Sequence, residues 1–168
     1  DGAIGIHVDP YTEVGKIAVG SGPYTLACDI FDAIVTGSSA HAAKPSEGVD
    51  AIATAAAMVS EIQKIVAREI DPYDPLVISV TGFEGGGAYN VIADRVRLKG
   101  TIRSGNEATR AKAWKRLREI LNGVAQSHQA RVELEIKRGE PPVVNDKELT
   151  RIVSDSAAEQ FGPENVLN

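Results

Sequence analysis

The sequence predicts an α+β sandwich in which two helices cover one face of a four-stranded antiparallel sheet. Three observations lead to this fold class. Residues 95–103 and 131–137 alternate apolar and charged side chains, which is typical of strands with one buried and one exposed face. Two further runs are rich in β-branched residues, as strands often are. Between the strands, apolar residues recur every three or four positions, which predicts amphipathic helices.

The strands are predicted at 29–36, 76–81, 95–103 and 131–137. In the first of them, Phe31, Ala33 and Val35 would share the buried face. A shorter run at 4–8, which ends before Pro10, is predicted as a separate strand.

The helices are predicted at 49–68, 107–128 and 146–160. The first would bury a stripe made of Ile52, Ala56, Val59, Gln63 and Val66. The second would bury a stripe made of Trp114, Leu117, Leu121 and Val124. Asn106 is predicted as the N-cap of the second helix. For the third, Asn145 is predicted as the N-cap and Glu148 as the residue that closes a capping box.

The order from about residue 29 to 137 is strand, helix, strand, strand, helix, strand. This is the split βαβ pattern of a ferredoxin-like sandwich, in which both helices cover one face and the strands expose a charged second face. The strand at 4–8 and the helix at 146–160 lie outside this unit. We interpret them as parts of a second domain into which the sandwich is inserted.

Composition argues against several functional classes. With 18 Lys and Arg against 23 Asp and Glu, the formal net charge of -5 argues against a nucleic-acid partner. No apolar run approaches the roughly 20 residues of a membrane-spanning helix, so no membrane partner is expected. Cys28 is the only cysteine, which excludes an internal disulfide. Because the sequence opens at Asp1 without Met, we interpret the chain as an internal segment; a cytoplasmic location is expected, with a signal peptide left open.

Taken singly, the chemically active residues do not identify a function. His7 lies in the short apolar run, where a histidine is more often a packed structural residue than a metal ligand. His41 lies among small residues between the first strand and the first helix, where a histidine is usually only solvated. The loop that starts with Gly85-Gly-Gly permits positive φ and predicts a wide hairpin. No Gly-Lys-Ser/Thr follows, so it is not a phosphate loop.

Taken in order, several motifs form a collinear set along nearly the whole chain. They are Gly5-Ile-His-Val-Asp-Pro, His41-Ala-Ala, Gly48-Val-Asp-Ala-Ile, Asn90-Val-Ile and Gly100-Thr-Ile-Arg103. This set resembles the di-metal amidohydrolase and carboxypeptidase family, and within it the branch of aminoacylases, hippurate hydrolases and indole-acetyl-amino-acid hydrolases. The resemblance implies a metal-binding catalytic domain interrupted by a lid, or dimerisation, domain of the sandwich type. Residues 1–22 would end the first half of the catalytic domain, 23–139 would form the lid, and 140–168 would start the returning half.

The resemblance also implies roles for four residues. His7 matches a ligand to one ion of the metal pair. His41 matches the lid histidine that reaches into the partner subunit's active site and polarises the scissile carbonyl. Asn90 and Arg103 match the lid residues that hold the substrate's carbonyl and carboxylate, and a guanidinium suits a carboxylate. Ala93 stands where family members usually have Pro, which bears on the rigidity of the Asn90 loop.

The implied enzyme cleaves N-acyl amino acids or related amides with two divalent metal ions, for which Zn, Mn, Co and Ni all suit an imidazole ligand. The family's other metal motifs and its catalytic glutamate pair do not occur in this chain, so the segment alone is expected to hold no metal and to be inactive. A homodimer is expected through the strand at 76–81 and the helix at 49–68. Two alternatives stay open: a free-standing ferredoxin-like regulatory module that binds a small ligand such as an amino acid, and a pure assembly protein.

Overall fold

The computed structural model describes residues 2–167, and the chain forms two compact units. Leu26–Pro142 form one unit, called the sandwich below; the two ends of the chain, up to Thr25 and from Val143, form the other, called the end unit. In chain order the strands and helices are β1 (Ile17–Ala18), β2 (Gly22–Pro23), β3 (Ala27–Thr36), α1 (Ala51–Lys64), β4 (Leu76–Gly85), β5 (Arg95–Ser104), α2 (Glu107–Ser127), β6 (Arg131–Lys137), β7 (Val144–Asn145), α3 (Lys147–Phe161) and β8 (Val166–Leu167). A π-helical turn, Ile65–Glu69, continues α1.

The sandwich contains a four-stranded antiparallel sheet in the order β4-β5-β3-β6. Both α1 and α2 pack on one face of this sheet, so the predicted ferredoxin-like βαββαβ class is confirmed. In the register, Arg95 lies opposite Thr36 and Arg103 lies opposite Cys28. The two ends of β5 therefore mark the two ends of the sandwich. Arg95 and Arg103 are eight residues apart, and a rise of roughly 3.4 Å per residue separates them by about 27 Å.

The alternation along β5 explains why the sheet has one buried face. Val96, Leu98 and Ile102 are fully buried among the core residues that α1 and α2 also contribute. The charged residues between them lie on the outer face of the sheet, away from the helices. On α2, Leu117 and Leu121 complete the same core, as the helical pattern predicts.

The strands lie close to their predicted positions, with one extension. β3, β5 and β6 begin and end within two residues of the predicted bounds. β4 continues to Gly85 rather than ending at Thr81, because a bulge between Val80 and Gly82 shifts the register and lets pairing with β5 continue. Within the described residues β4 pairs with β5 alone, so it is an edge strand.

The buried face of α1 differs from the predicted one. The buried stripe runs one position earlier, through Ala51, Ala55, Met58, Ile62 and Ile65. Ile52, Ala56 and Val66 are consequently exposed. The reason lies in packing: the small side chains of Ala51 and Ala55 let the first turns of the helix lie close to the sheet. Ile52 and Val66 therefore leave apolar surface on the outer side of α1, while Met58, Ile62 and Ile65 lie in the core.

The predicted strand at 4–8 does not form. This segment has irregular backbone, and the side chains of Ile4, Ile6 and Val8 are exposed. A strand needs a neighbour that satisfies its backbone N–H and C=O groups, and no described residue pairs with this segment. Apolar composition alone therefore gave a wrong prediction here.

The helix N-caps follow the predictions in α2 but not in α3. Asn106 caps α2, and its Oδ1 accepts a hydrogen bond from Thr109 N at 2.8 Å. Helix α3 is capped by Asp146 rather than Asn145. The capping box predicted for Glu148 therefore does not form, because the third helical residue after Asp146 is Leu149, which has no side-chain acceptor.

No helix in the described part of the chain is long and apolar enough to cross a membrane.

The end unit is built from short pairings. β1 pairs with β8 in parallel, and β2 pairs with β7 antiparallel. The side-chain amide of Asn145 donates a hydrogen bond to Gly20 O at 2.8 Å. Among the described residues of this unit, Ala157 is the one fully buried apolar side chain.

Candidate functional site

The His41 segment, residues 37–50, connects β3 to α1 and is held by its own main chain. Ser38 and Val49 exchange two backbone hydrogen bonds of 3.0 and 2.9 Å, which close the segment at its base. Gly37 is required at its start, because a Cβ there would lie 2.1 Å from Val49 O. The segment is therefore fixed by its main chain, although most of its side chains are exposed.

The imidazole of His41 is exposed and is oriented by a bond within the segment. Its Nδ1 accepts a hydrogen bond from Ala43 N at 3.1 Å. An accepting Nδ1 carries no proton, so this bond assigns the proton of the neutral ring to Nε2. His41 thus presents an N–H donor to the outside, which is the group needed beside an oxygen that becomes negatively charged.

The Asn90 loop, residues 86–94, lies directly beside the His41 segment. Ala42 N donates a hydrogen bond to Asn90 O at 2.9 Å, and His41 lies opposite Val91 as in an antiparallel ladder. Asn90 is exposed. The structure therefore brings together two of the four predicted site residues, at the end of the sandwich where β5 begins.

The glycine run beside Asn90 widens the hairpin between β4 and β5. Gly86 has a φ of +78°, in the region that favours glycine, as predicted for this loop. An open pocket of about 450 Å³ lies against the run and is also lined by Ser39, Val91 and Arg95. Space is therefore available next to the His41 segment.

Arg103 lies at the opposite end of the sandwich. It is half-buried on the outer face of the sheet, between Cys28 of β3 and Val77 of β4. The length of β5, about 27 Å, separates this end from the one that carries His41. Within one chain, Arg103 and His41 therefore cannot contact the same small substrate.

His7 lies in the irregular start of the end unit and is exposed. Its Nδ1 lies 2.6 Å from Val8 O. Among residues 2–167, no three His, Cys, Asp or Glu side chains come close enough together to hold a metal ion. The residues present do not complete a metal site, and His7 supplies one ligand at most.

The sequence patterns did not predict one buried cluster, which lies where the chain enters and leaves the sandwich. This Asp29 cluster consists of Asp29, Arg110, Trp114 and Gly139. Asp29 and Arg110 are each 1% exposed. The Asp29 carboxylate accepts hydrogen bonds from the Arg110 guanidinium, from Trp114 Nε1 at 2.9 Å and from Gly139 N at 3.0 Å. A signal was present in the sequence, since Asp29 falls on the buried side of the β3 alternation, two residues before Phe31.

Comparison with known proteins decides the family. Residues 29–129, more than half of the chain, match the M20 family model described as a peptidase dimerisation domain. The chain belongs to the M20 peptidase dimerisation-domain family. The matched residues lie within the sandwich, so this unit is an M20 dimerisation domain.

Among M20 relatives, the N-acyl-L-amino acid amidohydrolase of Geobacillus stearothermophilus is 38% identical over 145 residues, which are 86% of this chain and 39% of that protein. The IAA-amino acid hydrolase ILR1-like 4 of Arabidopsis thaliana is 32% identical over 167 residues, which are 97% of this chain and 38% of that protein. The chain spans about two fifths of the length of these curated relatives. The amidohydrolase branch expected from the motifs is confirmed, and a free-standing regulatory module is not favoured.

Two solved structures share the architecture. An aminohydrolase from methicillin-resistant Staphylococcus aureus has a TM-score of 0.84 and 28% identity, covering 91% of this chain and 41% of that chain. The YXEP protein of Bacillus subtilis, a dinuclear metal binding peptidase from the M20 family, has a TM-score of 0.70 and 27% identity, covering 92% of this chain and 37% of that chain. The M20 family thus includes enzymes that bind a pair of metal ions.

Proposed function

We propose that this chain is the lid and dimerisation segment of a longer metal-dependent amidohydrolase that cleaves N-acyl amino acids or related amides. Residues 23–139 would form the lid, and residues 1–22 and 140–168 would belong to the catalytic domain. The observation that supports this most is the backbone pairing of the His41 segment with the Asn90 loop. This pairing holds the main chains that carry His41 and Asn90 side by side at an exposed end of the sandwich, which supports a role for both residues in one site.

The chemistry of these two groups suits amide cleavage. Attack on an amide carbonyl places negative charge on its oxygen, and donors fixed beforehand near that oxygen lower the barrier. The Nε2–H of His41 and the side-chain amide of Asn90 are proposed as these donors. Arg103 is proposed to bind the carboxylate of the amino-acid part through its guanidinium.

Because the length of β5, about 27 Å, separates Arg103 from the end of the sandwich that carries His41, we propose that two protomers share each active site. β4 is an edge strand, and its unpaired N–H and C=O groups can pair with the β4 of a second copy. A two-fold axis makes this pairing antiparallel, so the Leu76 end of one β4 lies beside the Gly85 end of the other. The Arg103 of one protomer would then lie near the His41 and Asn90 of its partner.

The outer surface of α1 supports the same homodimer. Helix α1 packs over β3, β5 and the edge strand β4, and its exposed side includes Ile52, Ala56 and Val66. Apolar side chains on an exposed helix face beside an edge strand are typical of a surface that a partner covers. The β4 edge and the outer face of α1 are therefore proposed as one continuous dimer contact.

Two divalent ions, from among Zn, Mn, Co and Ni, are proposed for the full-length enzyme. Such ions supply an activated water for hydrolysis. His7 is proposed as one imidazole ligand, with the remaining ligands on the rest of the enzyme. The isolated chain would hold no metal.

Purified full-length enzyme, supplied with each of the four metals in turn, tests the proposal. We expect it to release free amino acid from N-acetyl amino acids, measured with an amine-reactive dye, and we expect the 168-residue chain alone to be inactive. Full-length protein that cleaves none of these compounds with any of the metals would contradict the proposed function.

A further inference from the structure

Of the other cations on the strand of Arg103, Arg97 and Lys99 are paired with acids, and Arg95 forms no ion pair among the described residues. Arg97, Lys99 and Arg103 all lie on the outer face of the sheet. Arg97 Nε donates to Asp32 at 2.9 Å, and Lys99 Nζ donates to Glu84 at 2.6 Å. Among the described residues Arg103 forms no ion pair, and the residues opposite it carry no acid group. Its guanidinium therefore keeps its donors free for the carboxylate of a ligand.

Apolar side chains flank this free guanidinium. Val77 lies directly opposite Arg103 on β4, where Cβ atoms are about 5 Å apart. Ile30 lies one outer-face position along β3 from Cys28, diagonal to Arg103 and within reach of a long side chain. Val77 is 47% exposed and Ile30 is 50% exposed, so each offers apolar surface to a ligand. On the other side of Ile30, β6 presents Lys137 directly opposite it, and Glu135 and Glu133 follow further along the outer face.

An α-amino acid carries its side chain on the carbon next to its carboxylate. A carboxylate held by Arg103 therefore places that side chain within a few ångströms of the residues beside Arg103. The occupant that fits both the free cation and its apolar neighbours is an anion with an adjacent apolar group.

We propose that Val77 and Ile30 contact the side chain of the amino-acid part of the substrate and favour an apolar side chain there. This inference rests on the proposed function, in which Arg103 binds the substrate carboxylate. It means that the sheet of the protomer that supplies Arg103 determines which amino-acid side chains of the substrate are preferred. The substrates favoured are N-acyl derivatives of amino acids such as leucine.

Full-length enzyme with Val77→Thr or Ile30→Thr tests the assignment. Threonine keeps the branched shape and the strand preference but replaces a methyl or larger apolar group with a hydroxyl. The measured quantity is the ratio of kcat/KM for N-acetyl-leucine to kcat/KM for N-acetyl-alanine. We expect each variant to lower this ratio by roughly threefold to tenfold, as the loss of apolar contact in a pocket does.

Ile34→Thr is the matched control. Ile34 lies on the same strand and face as Ile30, opposite Arg97 and Glu133, about 13 Å further from Arg103. We expect it to leave the ratio unchanged and to shift the melting temperature as much as Ile30→Thr does, which separates contact with substrate from an effect on the sheet.

Different results would contradict the side-chain selectivity inferred here and the proposed amidohydrolase function. Hydrolysis of N-acetyl amino acids with the wild-type ratio retained in Val77→Thr and Ile30→Thr would overturn this inference and leave the proposed function intact. An equal fall of the ratio in Ile34→Thr would also overturn it, since the effect would then come from the sheet. Absence of hydrolysis would overturn both.

Discussion

The two ends of the sandwich are stabilised in different ways. At the end where the chain enters and leaves, the Asp29 cluster fixes the structure through side chains that are almost completely buried. At the opposite end, backbone bonds fix the His41 segment against the Asn90 loop and leave the side chains exposed. A substitution in the Asp29 cluster should therefore change stability, and one at His41 should change activity.

The first end depends on a complete set of bonds. Taking two charges out of water is unfavourable, and their mutual attraction offsets this only if both are also hydrogen-bonded. Asp29 accepts bonds from Arg110, Trp114 and Gly139, and Arg110 also donates to Glu107 at 2.9 Å and to Gly139 O at 3.0 Å. Removing the charge of Asp29 would leave Arg110 buried with a weaker, more exposed partner in Glu107.

Asp29→Asn should have the largest effect on folding, because it leaves the buried Arg110 guanidinium with the half-exposed Glu107 as its remaining counter-charge. We expect the free energy of unfolding of the chain, measured by urea denaturation, to fall by about 3–5 kcal/mol. The control is Asp155→Asn, which breaks the exposed 2.9 Å pair with Arg151 on α3. That change should cost less than about 1 kcal/mol. Equal losses in the two variants would contradict the distinction between buried and exposed pairs.

The same variant makes a prediction about pH. Burial raises the pKa of Asp29, but the bonds from Arg110, Gly139 and Trp114 outweigh it, so the pKa lies below its ordinary value. A carboxyl whose pKa is lower in the folded state stabilises the fold above its unfolded pKa, about 3.9, and loses this contribution as the pH falls through the folded value. The difference in unfolding free energy between wild type and Asp29→Asn should therefore shrink below about pH 4. A difference that stays constant down to pH 2 would count against the charge of Asp29 as its cause.

His41→Ala tests the other end. We expect kcat of the full-length enzyme to fall by about 10² to 10³, the usual effect of removing one donor to a developing oxyanion. The melting temperature should change little, because the imidazole is exposed and the backbone bonds of the segment remain. A large fall in melting temperature with kcat retained would contradict a catalytic role for His41 and show that its side chain stabilises the fold.

Mixing subunits tests whether His41 acts across the dimer. A His41→Ala protomer keeps its metal ligands, and a His7→Ala protomer keeps its lid histidine. A heterodimer of the two should regain activity in one of its two sites, measured after subunit exchange has been verified by native mass spectrometry. A mixture no more active than its parents would place the action of His41 within its own subunit.

In the proposed dimer the two ends of partner sandwiches would meet, and Ala56→Glu should weaken this dimer. Ala56 lies on the exposed face of α1 that is proposed to contact the partner, so a charge there would be buried in the dimer contact. We expect the wild-type chain to scatter light as a dimer and the variant to shift toward monomer at micromolar concentration. Ala111→Glu places the same charge on exposed α2 and should leave the mass unchanged. If the wild-type chain were monomeric at high concentration, that result would contradict the proposed dimer contact.

The sequence predicts the sandwich well because its strands alternate cleanly and its helices lie between them in a recognisable order. Buried and exposed side chains alternate along β5, with Val96 and Leu98 buried, and this alternation can be read from adjacent residues in the sequence. The face of α1 was predicted wrongly because residue type favours Ile52 inside, whereas the distance to the sheet favours Ala51. That distance is a tertiary property, and no helical periodicity encodes it.

The site was predictable only in part. His41 and Asn90 follow from the order of motifs, but their pairing through the main chain cannot be read from side-chain types. The separation of Arg103 from His41 follows from the strand between them once β5 is known. The Asp29–Arg110 pair joins residues that are 81 positions apart, so only the buried position of Asp29 in the alternation could have pointed to it.

Ala93→Pro should have the smallest effect and tests how rigid the Asn90 loop already is. Among the described residues Ala93 N donates no hydrogen bond, while Ala93 O accepts one from Ala51 N at 3.0 Å, so a proline there would remove no bond. Proline restricts the unfolded chain, and we expect the free energy of unfolding to rise by about 0.4–1 kcal/mol in thermal or urea denaturation. Ala42→Pro is the contrasting variant, because it removes the 2.9 Å bond from Ala42 N to Asn90 O and should destabilise the chain. If Ala93→Pro destabilised as much as Ala42→Pro, the loop would need a backbone shape at residue 93 that proline cannot adopt, and the alanine at this position would be part of how the loop holds Asn90.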